Sequence, residues 1–392
     1  MTDSIVLYCP VRPATTDVER LPYKGQIEVD QDGVLGRIQG EAIEVPSPYT
    51  GASFKIRAHI DQDRQICGYI VELNAPTCLV GHNLLLSNSA YRSSAAAFNL
   101  LVRWLGHFGV TPEALSRLSF ETVRIWGVTP TFLIDCESHE GALSALKQFE
   151  DHGVAVLNGI GGASSGDRKA PAVYSVGSGC SRTVYVKQRE FKIKAYVKTD
   201  VVPAKSHREF PSGQVEEQVL RCAKKYLRIE VEIFRKWLTK NSLLCPDDWV
   251  TFRQGEPTGV DSYASVFQIV RRAFRLHQNL RHRFPRPDDL KRLGSHDREL
   301  VDAHLKGEDL RSHRNILAKG GRLPQQKYFS ALRARIVDEL RIDIGIPWST
   351  QSRLVSPKLP NLLTYPGVFE PPPALAKYVF CRKNTVLMSR TA

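Results

Sequence analysis

The chain has 392 residues, 42% of them hydrophobic and 24% charged, enough for a sizeable core and too apolar for compositional disorder. Fifty-four Lys and Arg against 41 Asp and Glu leave a net charge of +13, which points to a polyanionic partner such as nucleic acid or an anionic membrane surface. Eight scattered cysteines without a CxxC pair argue against a zinc finger or a disulfide framework; with no signal peptide and no apolar run near the ~20 residues that span a bilayer, a cytoplasmic protein is expected.

In chain order, SIVLYCPV (4–11), GVLGRIQG (33–40), SFKIRAHI (53–60) and QICGYIVELN (65–74) read as short strands separated by turns. In the last of these, Val71 and Leu73 alternate with Glu72 and Asn74, sending the polar pair to one face. A Ser/Asn cluster then opens an Ala-rich, apolar-periodic helix that stops near Gly106 and Gly109. ETVRIWGVTPTFLIDC predicts a strand or strand pair, and HEGALSALKQFEDHG a helix closed by Gly153. The Gly/Ser-rich segment 158–181 reads as a loop, without a complete nucleotide-cradling motif.

TVYVKQREFKIKAYVKTDVV predicts a hairpin or two successive strands, and its second half is two-faced: Phe191, Ile193, Ala195 and Val197 point one way, Lys192, Lys194, Tyr196 and Lys198 the other. A helix, QVEEQVLRCAKKYL, leads into a strand in which Arg228, Glu230 and Glu232 oppose Leu227, Ile229, Val231 and Ile233. Beyond residue 245 helical patterns dominate: Asp261 to Gln278, then, after a Pro-marked break, DRELVDAHLKGEDL and PQQKYFSALRARIVDELR, with Gly320 and Gly321 in the linker between them. The expected fold is α+β, with an antiparallel sheet and flanking helices over 1–245, a helical basic domain over 246–347 and a Pro-rich tail over 348–392.

Basic residues are concentrated. Residues 271–293 hold eight Arg/Lys against two Asp, and residues 181–198 hold six against one Glu, which predicts phosphate contacts from Arg182, Lys192, Arg271, Arg272 and Arg275. Within the second run, Tyr196 lies among lysines that share its face. Cations there lower the cost of a phenolate and attract a phosphodiester, so Tyr196 is a candidate nucleophile with Lys194 and Lys198 beside it. A solvated strand face with an ordinary tyrosine is the bland alternative. Metal-assisted phosphoryl transfer also needs oxygen or imidazole donors, and Glu72, His82 and Glu230 are residues such a sheet could present; Glu230 pairing with Arg228 is the plain alternative.

YTGASFKI, YIVELNAPTCLVGHN, SRTVYVKQREFKIKAYVK and LRIEVEIF, in this order, resemble the replication initiators encoded by gene II of filamentous phages and, more distantly, plasmid rolling-circle initiators. That resemblance implies an antiparallel-sheet nuclease domain that nicks one strand of a double-stranded replicative form. Tyr196 would attack the phosphodiester, giving a 5′-phosphotyrosine and a 3′-OH primer; Lys198 and Lys194 would stabilise the transition state; Mg²⁺ or Mn²⁺ would polarise the phosphate. It also implies origin DNA and its displaced single strand as partners, with host helicase and DNA polymerase, in the host bacterial cytoplasm, and a homodimer as one assembly. VDAHLKGEDLRSH followed by LPQQKYFSALRARIVDELRIDI is similar to the C-terminal module of the same initiators; read from the residues alone it is a helical pair with Lys327, Arg333, Arg335 and Arg341 exposed, suited to gripping duplex DNA. Two features depart from the pattern: none of the eleven histidines forms a His-hydrophobic-His pair, and Trp126 stands where the family usually has an acid. A non-catalytic origin- or operator-binding protein of the same fold is the rival expectation.

Overall fold

The computed structural model describes residues 1–12, 24–29, 35–61, 65–86, 88–153, 172–177, 182–198, 213–250, 252–253, 256–257, 261–274, 285, 287–308, 310, 325–340, 342, 344, 348–351 and 362–379. Strands are β1 (Thr2–Pro10), β2 (Gly25–Val29), β3 (Leu35–Gly40), β4 (Ile43–Pro46), β5 (Ser53–Ile60), β6 (Ile66–Asn74), β7 (Arg124–Asp135), β8 (Ala172–Val176), β9 (Thr183–Lys187), β10 (Phe191–Val197) and β11 (Tyr226–Phe234). The main helices are α1 (Ala75–Val80), α2 (Ala90–His107), α3 (Pro112–Leu115), α4 (His139–Gly153), α5 (Gly213–Lys224), α6 (Arg235–Lys240), α7 (Ser262–Ala273), α8 (Pro287–Lys291), α9 (Ser295–Leu305) and α10 (Gln325–Leu340).

Nine strands form one sheet in the order β4-β5-β6-β1-β7-β11-β10-β9-β8, and every neighbouring pair is antiparallel. The mixed fold with an antiparallel sheet agrees with the α+β expectation. β7 is one long strand rather than a pair. β8 lies inside the segment read as a Gly/Ser loop; its Ala-Val-Tyr-Ser-Val run has strand propensity that the flanking glycines masked.

The alternation read in β10 and β11 is what the sheet uses. Ile193, Ala195, Val197, Leu227, Ile229, Val231 and Ile233 are all buried on one face, within a core completed by α2, α4 and α7. That core continues past residue 245, because Val266, Phe267, Val270 and Phe274 of α7 and its C-terminal end belong to it. The helix is anchored there by its N-cap Asp261, whose carboxylate accepts from Tyr263 and Ala264 N–H groups. A separate cluster unites Leu300, Val301, Leu332 and Ile336 of α9 and α10.

The opposite face of the sheet is polar, and one end of it is roofed by Leu84, Leu85, Leu86, Val219, Ala223, Leu375 and Val379, packed with Leu133 and Tyr226. A register shift in β1 between Thr2 and Ile5 is decisive for this face. Thr2 turns towards α7, its Oγ1 2.8 Å from the Tyr263 hydroxyl, whereas Asp3 and Ser4 both reach partners on the polar side. Strict alternation would have sent Asp3 into the core.

Candidate active site

Antiparallel pairing sets Lys192 opposite Glu232, Lys194 opposite Glu230 and Tyr196 opposite Arg228. The two alternating segments are thus complementary in charge, and such cross-strand pairs stabilise the register that creates them. Lys194 Nζ lies 3.7 Å from Glu230 and 3.5 Å from Glu232, and Lys192 Nζ 3.6 Å from Glu232. Tyr196 reaches diagonally: its hydroxyl donates to Glu230 Oε1 at 2.6 Å.

The same oxygen accepts from Arg228 Nε at 2.9 Å. Arg228 is 1% exposed, and its Nη2 also stands 3.0 Å from Asp3 Oδ1 in an ion pair. A buried guanidinium needs such company, since its desolvation cost is large unless carboxylates offset it. Burial works against the Arg228 charge, but Tyr196, Asp3 and Glu230 outweigh it and hold the group charged more firmly than usual.

Asn83 ties the network together. Its Nδ2 donates to Asp3 Oδ1 at 2.9 Å, its carbonyl accepts from Arg228 Nη1, and its Oδ1 accepts from Lys198 Nζ at 3.0 Å. The backbone arrives there because Asn74 caps α1 and Gly81, at φ 83°, ends the helix in a left-handed turn. Asn74 Nδ2 also donates to Asp3 Oδ1. Asp3, Asn74, Asn83, Tyr196, Lys198, Arg228 and Glu230 therefore form one connected constellation. Asp3 has no local sequence signal; only the bulge in β1 brings it in.

Tyr196 is half-buried, and its phenol is pushed well above its ordinary pKa, first by burial and then by Glu230 and Asp3, with Arg228 opposing. Lys194 is engaged by two carboxylates, and Lys198 by Asn83. Burial disfavours the Lys194 charge, but Glu230 and Glu232 prevail and raise its pKa. The site holds a neutral phenol already hydrogen-bonded to a carboxylate, with three cations around it.

The three expected metal donors are not brought together. Glu72 is exposed and faces Val6 and Lys55 on a row of the sheet that runs through Gly127 to Phe234. From Glu230 that is about 14 Å across three strand spacings and about 13 Å along the strands. His82 is 5% exposed; its Nδ1 accepts from Leu84 N–H at 3.3 Å and its Nε2 is 2.7 Å from the Tyr378 carbonyl, so the proton sits on Nε2 and both nitrogens are committed. Glu230 serves Tyr196 and Arg228. Among the described residues no group of three His, Cys, Asp or Glu could hold a metal ion.

Of the expected DNA contacts, Arg182 is ion-paired to buried Glu150 at 2.7 Å and Arg335 is bidentate to Asp297, both nitrogens at 2.8 Å from its carboxylate oxygens. Arg271 and Arg333 are half-buried and Arg272 is exposed. Arg275, Arg341 and the Lys327 side chain lie outside the described residues.

Trp126 stacks on Tyr8 with centroids 4.5 Å apart, with Arg235 over its ring at 4.2 Å and His59 edge-on. Its neighbour Gly127 pairs with Phe234, six residues along β11 from the partner of Tyr196, or about 20 Å. The acid that Trp126 replaces is therefore not one that would touch Tyr196.

Fold and site together define an antiparallel α+β protein with a tyrosine–carboxylate–arginine centre on the polar face of its sheet. Residues 4–251 match the family described as the N-terminal part of the phage replication-associated gene II protein. The chain belongs to that family, the gene II replication initiators of filamentous phages, and is a replication initiator of rolling-circle type whose family binds origin DNA. No curated protein and no solved structure is significantly similar to it. Among the described residues no helix is long and apolar enough to cross a membrane.

Proposed function

We propose that this initiator nicks one strand of its origin with Tyr196 as the nucleophile. The observation that carries this reading is the 2.6 Å hydrogen bond from the Tyr196 hydroxyl to Glu230, inside a ring of Arg228, Lys194 and Lys198. A phenol with so raised a pKa has to lose its proton as it attacks, and a carboxylate already in contact can take it.

In that step the Tyr196 oxygen forms a bond to phosphorus and its proton passes to Glu230. The bond from phosphorus to the 3′ oxygen breaks, and that oxygen takes a proton from solvent to become the 3′-OH while Glu230 returns its own to solvent, so one proton moves overall from Tyr196 to the leaving oxygen. The product is a 5′-phosphotyrosine, so the phosphodiester energy is kept, and a later attack by a 3′-OH reseals the strand and restores Tyr196. Lys198 and Lys194 meet the charge that builds on the phosphate oxygens, with Arg228 behind them. Glu72, His82 and Glu230 are too far apart and too committed to act as one ligand set for Mg²⁺ or Mn²⁺, and Glu230 acts instead as the base for Tyr196.

The test is to incubate the protein, and its Tyr196→Phe variant, with supercoiled DNA carrying the origin of its own replicon. The wild type should give nicked circles and a DNA-linked protein band, and the variant neither. Equal nicking by the variant, or a wild type that binds the origin without cutting, would replace this mechanism with the non-catalytic reading.

A further inference from the structure

The row of the sheet that carries Lys194 and Glu230 continues outwards to two tyrosines. Tyr185 of β9 faces Lys194, and Tyr174 of β8 faces Tyr185, with β8 at the edge of the described sheet. Their rings stack with centroids 5.1 Å apart and planes 10° from parallel. Lys192 Nζ sits over the Tyr185 ring at 5.4 Å. Both tyrosines are half-buried, and exposed Lys187 lies on the same face of β9. Among the described residues the Tyr174 ring meets no ring or cation other than those on its Tyr185 side.

A cross-strand aromatic pair alone would be accounted for by sheet stability. Here its position adds more. Tyr185 is one strand over and two residues along from Tyr196, about 8 Å between Cα positions, and Tyr174 about 12 Å. Those spans correspond to two to four nucleotides of stacked strand at ~3.4 Å each. Flat ring faces beside lysines are the chemistry that holds unpaired bases: rings stack on rings whatever the sequence, and the ammonium groups meet the adjoining phosphates.

We infer that Tyr174 and Tyr185 form a stacking platform for bases of single-stranded DNA flanking the scissile phosphate. The occupant is a single strand because paired bases do not offer their faces. Duplex bound through phosphates alone would be indifferent to the rings. This inference rests on the nicking reading of Tyr196 for its position, but not for its chemistry.

The probe is an oligothymidylate carrying one 2-aminopurine, bound to full-length Tyr196→Phe protein so that no cutting intervenes. Stacking quenches 2-aminopurine, so its fluorescence should fall on binding. Adding Tyr174→Leu and Tyr185→Leu should relieve the quenching and raise Kd roughly 5- to 150-fold, the equivalent of ~1–3 kcal/mol for a lost base–aromatic stack. Tyr174→Phe and Tyr185→Phe keep the ring and should stay within about twofold of the parent. Unquenched fluorescence with the parent protein, or Leu variants that bind as well as Phe variants, overturns the platform. The quenching readout needs no folded Leu variant. If the wild type fails to nick its origin while the Leu variants still lose the oligonucleotide, the platform stands and the nicking reading falls.

Discussion

Replacing Glu230 by Gln separates two roles that the site combines. The carboxylate accepts the phenol proton of Tyr196 at 2.6 Å, and it also helps to hold that phenol's pKa up. Gln preserves the shape and an acceptor oxygen but removes the base and the negative charge. If Glu230 is the general base, nicking falls by about 10²- to 10⁴-fold. If its charge only suppresses ionisation of Tyr196, the substitution leaves Arg228 to favour the phenolate, and nicking quickens. The stability effect has a known sign. Arg228 and Glu230 are 1% and 6% exposed in their side chains, and removing one partner of a buried pair costs about 3–5 kcal/mol. Asp3 remains 3.0 Å from Arg228, which argues for the lower end, roughly 6–12 °C in Tm for a domain of this size. Nicked-circle formation measured against pH, beside thermal unfolding of both proteins, reads the two effects separately. Undiminished nicking by Glu230→Gln at every pH would refute the assignment of Glu230 as base.

Two further outcomes follow from the geometry. A Cβ at Gly68 would stand 2.5 Å from Tyr8 Cε2 and 2.7 Å from the Cys9 carbonyl oxygen. Gly68→Ala should therefore cost about 1–3 kcal/mol and change Trp126 fluorescence, because the Tyr8 ring that stacks on Trp126 must move; an unchanged Tm and spectrum would contradict this packing. Burial pushes the Tyr8 phenol up to about 12, and Tyr69, Tyr196 and Tyr365 are raised as well, each chiefly by burial. These groups bind protons more tightly folded than unfolded. Their contribution is complete below the unfolded value near 10 and is lost as pH climbs through the folded values. Stability should fall from about pH 10 upwards, with tyrosine ionisation and unfolding coinciding in an absorbance titration. Tyrosines that titrate near their ordinary value in a still-folded protein would oppose it.

Much of the site was legible because strands obey a period of two. Lys192, Lys194 and Tyr196 against Arg228, Glu230 and Glu232 could be assigned to faces from the residues alone, and the charge complementarity of those faces is what the β10–β11 register uses. The same regularity hid Asp3, since a bulge breaks alternation with no mark in local composition. Glu72 shows the converse. Its face was read correctly, but a period says nothing about which strand will be its neighbour, and strand order sets it far from Glu230.

Strand faces, the cations around Tyr196 and, through an ordered set of motifs, the family could all be read from the residues. It took the folded sheet to pair Glu230 with the phenol, three strands away from Glu72, and to bring Asn83, 115 residues from Lys198, between it and Asp3 and Arg228. The difference is one of range. Alternation and charge act between neighbours along the chain or across one strand pair, whereas a buried cation collects its counter-charges from wherever the sheet order brings them.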